Sequence, residues 1–246
     1  PSLPAGVVNS VNENGIAVGQ AMAASPEIDV ISFTGSSRTG AAIMAAAAPT
    51  LKRVGLELGG KAPAVIFEDA DLDLAVRELT HGALAMAGQI CVAAARFLVH
   101  DAVADAFEAR ATEAFRRVRV GPGDDPSSEM GCLIDTASRA RVEALIAQAG
   151  DEGELLLRGA RREPGAFLTP TLFRIDDLSS SLVQEELFGP IVSVERFGDE
   201  AEAIHKANAT PYGLAASVFT RDGARAMRAA RAIRAGTVWI NAHLRL

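Results

Sequence analysis

A cysteine, two glutamates and a serine stand where their types and surroundings could do chemistry. Cys91 lies in Gly88-Gln89-Ile90-Cys91, between an amphipathic helix pattern and a strand pattern. A thiolate held on a loop of a rigid scaffold can attack a carbonyl carbon, although a buried, inert cysteine is the other reading. Glu57 lies in Val54-Gly55-Leu56-Glu57-Leu58-Gly59-Gly60-Lys61. Partial burial between two leucines would raise its pKa and make it a usable base near neutrality. It could equally face solvent on an alternating strand or pair with Lys61. Ser36 follows a short apolar run and Gly35, and precedes an alanine-rich stretch. A strand, a turn and a helix start place free N–H groups and a hydroxyl where a pyrophosphate could sit, or where Ser36 simply caps the helix. Glu185-Glu186-Leu187-Phe188-Gly189-Pro190 sets two carboxylates before an aromatic and a turn. That segment could grip a polyol such as a ribose, or be a solvated loop.

The elements that must hold these residues alternate along the chain. Strands are expected at 30–34, 54–58, 64–67, 97–99, 155–157, 191–197, 215–220 and 237–241. Helices are expected at 39–48, from the Asp69-Ala70-Asp71 start to Gly88, and at 103–118, 138–149, 200–208 and 224–233. Gly121-Pro122-Gly123 opens a polar loop reaching about Glu129. Strands alternating with helices imply crossover units, an α/β fold and a mostly parallel sheet. The Gly59-Gly60 step is the best candidate for a domain boundary.

The 246 residues are 49% apolar but only 5% aromatic, which favours a helix-rich α/β core over an aromatic-cored sandwich. A net charge of −7 without a basic block argues against nucleic acid as a partner. No apolar run approaches the length of a membrane span, and no signal segment opens the chain. The two cysteines, Cys91 and Cys132, are too few for a disulfide framework and fit a reducing compartment, so a cytoplasmic protein is expected. The histidines His81, His100, His205 and His243 lack ligand spacing, and no metal site is expected. The chain starts at Pro1 without methionine and stops at Leu246 shortly after a strand, so both ends are expected to be cut.

Taken together, seven segments resemble the aldehyde dehydrogenase superfamily. They are Pro4-Ala5-Gly6-Val7-Val8-Asn9, Phe33-Thr34-Gly35-Ser36, Leu56-Glu57-Leu58-Gly59-Gly60-Lys61, Gly88-Gln89-Ile90-Cys91, Glu185 to Pro190, Pro211-Tyr212-Gly213-Leu214 and Gly236-Thr237-Val238-Trp239-Ile240-Asn241. They occur in the family's order; Cys91 follows Glu57 by 34 residues, and Glu186 follows Cys91 by 95. The resemblance covers essentially the whole chain. It implies a parallel-sheet catalytic domain over 60–246, truncated at its C-terminal end. Before it would stand the remnant of a Rossmann-like, dinucleotide-binding domain over 1–59.

The resemblance also implies an activity, the oxidation of an aldehyde to a carboxylic acid with NAD or NADP. Cys91 would be the nucleophile that forms a thiohemiacetal and then a thioester. Its backbone N–H would donate to the oxyanion, and Glu57 would be the base that activates water. Gly35 and Ser36 would contact the cofactor pyrophosphate, and Leu58 and Gly59 would border the nicotinamide. Glu186 would hold its ribose, with Phe188 beside it. The full-length parent would be a homodimer or homotetramer. The family's second oxyanion donor, an asparagine, and its Lys-Pro-x-Glu segment are absent, so the isolated chain is expected to turn over little. Met86 stands where asparagine is common, Asn12 where glycine is, and Cys132 where proline is. A coenzyme A-acylating relative generally lacks the glutamate base, so Glu57 argues against it. A non-catalytic protein on the same fold is disfavoured by Cys91, Glu57 and Glu186 occurring together.

Overall fold

A computed structural model of the chain describes residues 3–245, so Pro1 and Leu246, the ends expected to be cut, lie outside the described residues. The chain divides into two compact units, with the break between Gly59 and Gly60. In the first unit, helix α1 (Ala17–Ala24) leads to strand β1 (Val30–Thr34), helix α2 (Ser37–Ala47) and strand β2 (Arg53–Glu57). The two strands pair in parallel, Thr34 opposite Glu57. Pro49 ends α2 in a single 3₁₀ turn, as a missing N–H and a ring clash require. Helix α1 was not anticipated; its N-cap position is Ile16, which cannot cap, and the Val18 and Gly19 N–H groups donate instead to the more distant Glu13 carboxylate at 2.8 and 3.2 Å.

The second unit runs β3 (Ala62–Ile66), α3 (Leu72–Leu84), β4 (Ala94–His100), α4 (Asp101–Arg117), α5 (Thr136–Gln148) and β5 (Glu154–Leu157). It continues with β6 (Arg161–Arg162), β7 (Phe167–Leu168), β8 (Thr171–Arg174), α6 (Ser181–Gln184) and β9 (Ile191–Phe197). It closes with α7 (Glu200–Ala207), β10 (Ala215–Phe219), α8 (Gly223–Ala232) and β11 (Thr237–Ile240). Seven strands form one sheet in the order β11-β10-β3-β4-β9-β8-β5. Every pairing in it is parallel except β5 with β8, so the mostly parallel α/β sheet expected from the alternation is present.

Alternation along the central strands divides the core between two layers. Ala64, Ile66, Phe97 and Val99 face a layer containing Phe107 and Phe115 of α4 and Leu79 of α3. Val65, Leu98 and Phe197 face Ala203 and Ala207 of α7 and Ala229 of α8. Phe97 meets the rings of Phe107 and Phe115 edge to face, with centroids 5.7 and 6.1 Å away. Asp71, Asp135, Asp199 and Asp222 accept backbone N–H groups at the starts of α3, α5, α7 and α8.

The three central strands set the site. Because β3, β4 and β9 are parallel neighbours, the segments entering them emerge at one edge of the sheet. Gly60-Lys61 precedes β3, Cys91 precedes β4, and Glu186 to Gly189 precede β9. Ligands of open parallel sheets usually sit at the carboxyl ends of the strands. The chemistry-bearing residues of this unit collect at the opposite edge.

Candidate active site

In the first unit, Ser36 is the N-cap of α2. Its Oγ accepts the Thr39 N–H at 3.2 Å and lies 2.9 Å from Thr39 Oγ1. The capping role considered from sequence is therefore present. The amides of Ser37 and Arg38 remain beyond the reach of any carbonyl in their own helix. The Gly35 N–H donates to the Glu57 carbonyl oxygen at 3.0 Å, so these two candidates are neighbours across the strand pair. Leu58 lies against Gly40 of α2, where a Cβ would sit 2.8 Å from its methyl carbon. Gly59 is half-buried. Of the settings considered for Glu57, partly buried or facing solvent on an alternating strand, the second is present: Glu57 is exposed. The cause is local, because β1 and β2 form a two-stranded sheet whose residues alternate between half-buried and exposed.

In the second unit, Cys91 is half-buried in a tight turn closed by Ala93 N–H donating to the Ile90 carbonyl at 3.0 Å. The approach to this turn differs from the expected helix end. Helix α3 stops at Leu84, and Met86 and Ala87 then take left-handed φ values of +50° and +57°. Side chains pay sterically for that conformation, whereas asparagine tolerates it, which accounts for the expected preference for asparagine where Met86 stands. Gly88 continues the bend at φ +73°, where a Cβ would run into the carbonyl oxygen of Gly189. Gln89 fastens the loop from the other side: its amide donates to Met86 O at 2.8 Å, and its carbonyl accepts Ile134 N–H at 2.9 Å.

Glu186 arrives beside this loop. One carboxylate oxygen accepts the Gly60 N–H at 3.3 Å, and the Glu186 N–H donates to the Tyr212 hydroxyl at 3.3 Å. Burial pushes the Glu186 carboxyl above its ordinary pKa, while the Gly60 N–H and the Lys61 charge oppose the rise. Phe188 is exposed at φ +50°. Its segment is tied down by Arg141, which donates to the Leu187 carbonyl at 2.6 Å. Gly60, Gly88, Ile90, Glu186 and Phe188 line one small cleft. Gly60 also touches the Cys91 backbone, because a Cβ there would run into the Cys91 carbonyl oxygen.

The same cleft holds a residue that sequence reasoning missed. Lys61 is 2% exposed, and its Nζ has no hydrogen-bond partner among the described residues. Burial, aided by the Arg96 charge, brings its pKa down to about 7 from 10.5, against the pull of Glu195, Glu186 and Glu185. Nothing in Gly60-Lys61-Ala62 signals this, since lysines are rarely fully buried. The unfolded chain holds the proton up to about pH 10.5, and the folded chain releases it near pH 7. The burial cost is thus full below pH 7 and fades as pH rises between those values. Lys61→Met is expected to stabilise the fold by ~2 kcal/mol at pH 6, with the gain shrinking towards pH 10 in urea titrations. A gain independent of pH would show that the amine is not the source.

Among the described residues, no cluster of three or more His, Cys, Asp or Glu is placed to hold a metal. The donor sets suit organic groups: helix amides for an anion in the first unit, and a half-buried carboxylate for hydroxyls in the second.

Comparison with known proteins sharpens this arrangement. The model of the Aldehyde dehydrogenase family matches residues 2–246. The chain is 41% identical to a betaine aldehyde dehydrogenase of Bacillus subtilis, over 97% of this chain and 50% of that enzyme. It is 42% identical to aldehyde dehydrogenase, cytosolic 1, of Rattus norvegicus, over 99% of this chain and 49% of that enzyme. Among solved structures, betaine aldehyde dehydrogenase from Staphylococcus aureus in complex with NAD+ superposes with a TM-score of 0.88 at 40% identity. That match covers 93% of this chain and 46% of the other. The chain thus spans about half the length of the relatives it matches. With the family's model matching residues 2–246, the chain belongs to the aldehyde dehydrogenase family.

Proposed function

We propose that this chain carries the thiol half of an aldehyde-oxidising site that uses NAD or NADP. The observation that carries the reading is the convergence of the Cys91 turn, Gly60 and Glu186 at one edge of the central sheet. The Cys91 thiolate adds to the aldehyde carbonyl carbon, forming a C–S bond, and the carbonyl oxygen takes up the negative charge. The Cys91 N–H donates to that oxygen. NAD(P)+, when bound, supplies the acceptor for the hydride that leaves the carbon, and a thioester remains on Cys91. Glu57 takes a proton from water, the resulting hydroxide attacks the thioester, and the C–S bond breaks to release the acid and restore the thiolate.

The chain's own groups fit the cofactor piece by piece. Gly35, Ser36 and the first-turn amides of α2 suit a pyrophosphate. Leu58 and Gly59 border the nicotinamide in this reading. Glu186 has lone pairs left after Gly60 for ribose hydroxyls, and Phe188 offers an exposed face beside it. Ile90 and Val92 flank the thiol, so an aliphatic or aromatic aldehyde suits it better than a charged one. The substrates named for the relatives point to the same reaction class. No described helix is long and apolar enough to cross a membrane, and both cysteines are free, which suits a reducing compartment such as the cytoplasm. Assembly as a homodimer or homotetramer belongs to the same proposal.

The test is to trap the covalent step. Incubation with benzaldehyde and NAD+, followed by digestion and mass spectrometry, is expected to place an acyl group on Cys91. The adduct should accumulate further in Glu57→Gln and vanish in Cys91→Ala. Acylation shared equally by Cys91 and Cys132 would overturn the assignment.

A further inference from the structure

His243 follows β11 and is fully buried, yet it has no part in the reaction described above. Its Nε2 lies 2.9 Å from the Val92 carbonyl oxygen, and its Nδ1 lies 2.6 Å from Ser217 Oγ on β10. A carbonyl can only accept, so Nε2 carries the hydrogen and Nδ1 accepts from the serine hydroxyl. Burial brings the ring's pKa down to about 4, with Glu78 and His81 the nearby titratable groups. The ring is therefore neutral at ordinary pH, as this tautomer requires. The Trp239 ring lies against it at 4.9 Å. Gly82 of α3 makes the room, since a Cβ there would run into the imidazole. Arg245 pins the segment to α3 through Glu78, at 2.7 Å.

The Val92–Ala93 peptide is thus held at both ends. Its C=O accepts from His243, and its N–H donates to the Ile90 carbonyl at 3.0 Å. The Ile90 carbonyl shares a planar peptide group with the Cys91 N–H. A chain of hydrogen bonds accordingly runs from Ser217 through His243 and two peptide planes to the amide beside the thiol, and each bond polarises the next.

We propose that His243 is a positioning residue: with Ser217 it fixes the direction of the Cys91 N–H, the group that receives the oxyanion. This rests on the reading of Cys91 as the nucleophile. Two thiol reactions separate positioning from packing. Acylation by p-nitrophenyl acetate forms a C–S bond through an oxyanion, expels p-nitrophenolate with its electron pair and releases the thiol proton to solvent. Alkylation by iodoacetamide displaces iodide and forms no oxyanion.

His243→Phe keeps a ring against Trp239 but removes both hydrogen bonds. It is expected to slow acylation of Cys91 about tenfold while alkylation changes less than about threefold. His243→Gln, which returns a donor towards Val92, should regain most of the acylation rate. If both rates fall together in His243→Phe, or neither changes, the proposal is overturned. Should His243→Phe fail to fold, Ser217→Ala takes its place, with a selective loss in acylation of about threefold expected and an unchanged ratio overturning it. If Cys91 of the unaltered chain alkylates no faster than Cys132, the nucleophile reading fails first, before any variant is made.

Discussion

Cys91→Ala is expected to lower aldehyde-dependent NADH formation by at least about a thousandfold, because the thioester cannot form without the thiol. Glu57→Gln is expected to lower steady-state turnover by about a hundredfold or more while sparing the first turnover. The split follows from the roles assigned. Removing the nucleophile stops C–S bond formation, whereas removing the base stops only its hydrolysis. Rapid-mixing kinetics in a chain of full family length carrying this segment would show it. Glu57→Gln should give a burst of about one NADH per site followed by a slow phase, and Cys91→Ala should give neither. A burst that survives in Cys91→Ala would remove the thiol from the mechanism. Glu57→Gln turning over at the normal rate would assign the base elsewhere.

Glu195→Gln is expected to destabilise the fold by ~3–5 kcal/mol, and Arg96→Met by less. Glu195 on β9 and Arg96 on β4 are 1% and 0% exposed. They meet through two hydrogen bonds, Nε to Oε1 at 2.8 Å and Nη2 to Oε2 at 2.6 Å. Arg96 also donates to the Lys206 carbonyl at 2.8 Å, and its Nη1 is unpartnered among the described residues. Removing one partner of a buried pair strands the other. Here the two losses differ, because Lys61 is a third buried charge nearby. Without Glu195, Arg96 and, at pH 6 and below, Lys61 are left with little to balance their charge. Without Arg96, Lys61 still faces Glu195. Urea unfolding of the two variants measures the difference, and the double replacement Arg96→Met with Glu195→Leu should recover much of the loss. Equal costs would mean that Lys61 does not share the pair.

Many of the strands were legible because each is a compact apolar run between turn residues: Val30 to Thr34, Ile191 to Phe197 and Thr237 to Ile240. The antiparallel corner was legible only in β5. Strand β8 is four residues, Thr171-Leu172-Phe173-Arg174, entered from Pro170 and held by its neighbours β5 and β9. Helix α6 spans one turn, too short to show a period. Side-chain roles divide in the same way. Cys91 and Glu186 stand in short segments that become informative as members of an ordered set of seven. Lys61, His243 and the Arg96–Glu195 pair acquire meaning only from partners distant in sequence, as His243 does from Val92 151 residues away. The setting of Glu57 stayed open in the sequence because alternation fixes which face a residue takes, not whether anything covers that face.

The measurement that bears most directly on the whole account is a competition between the two thiols for iodoacetamide, followed by peptide mass spectrometry with and without NAD+. Cys132 is exposed and Cys91 is half-buried, so access alone favours Cys132. The reverse order is expected, with Cys91 alkylated faster and its rate altered by NAD+. Faster labelling of Cys132, with NAD+ without effect on either thiol, would contradict the claim that Cys91 is an activated nucleophile beside a cofactor site.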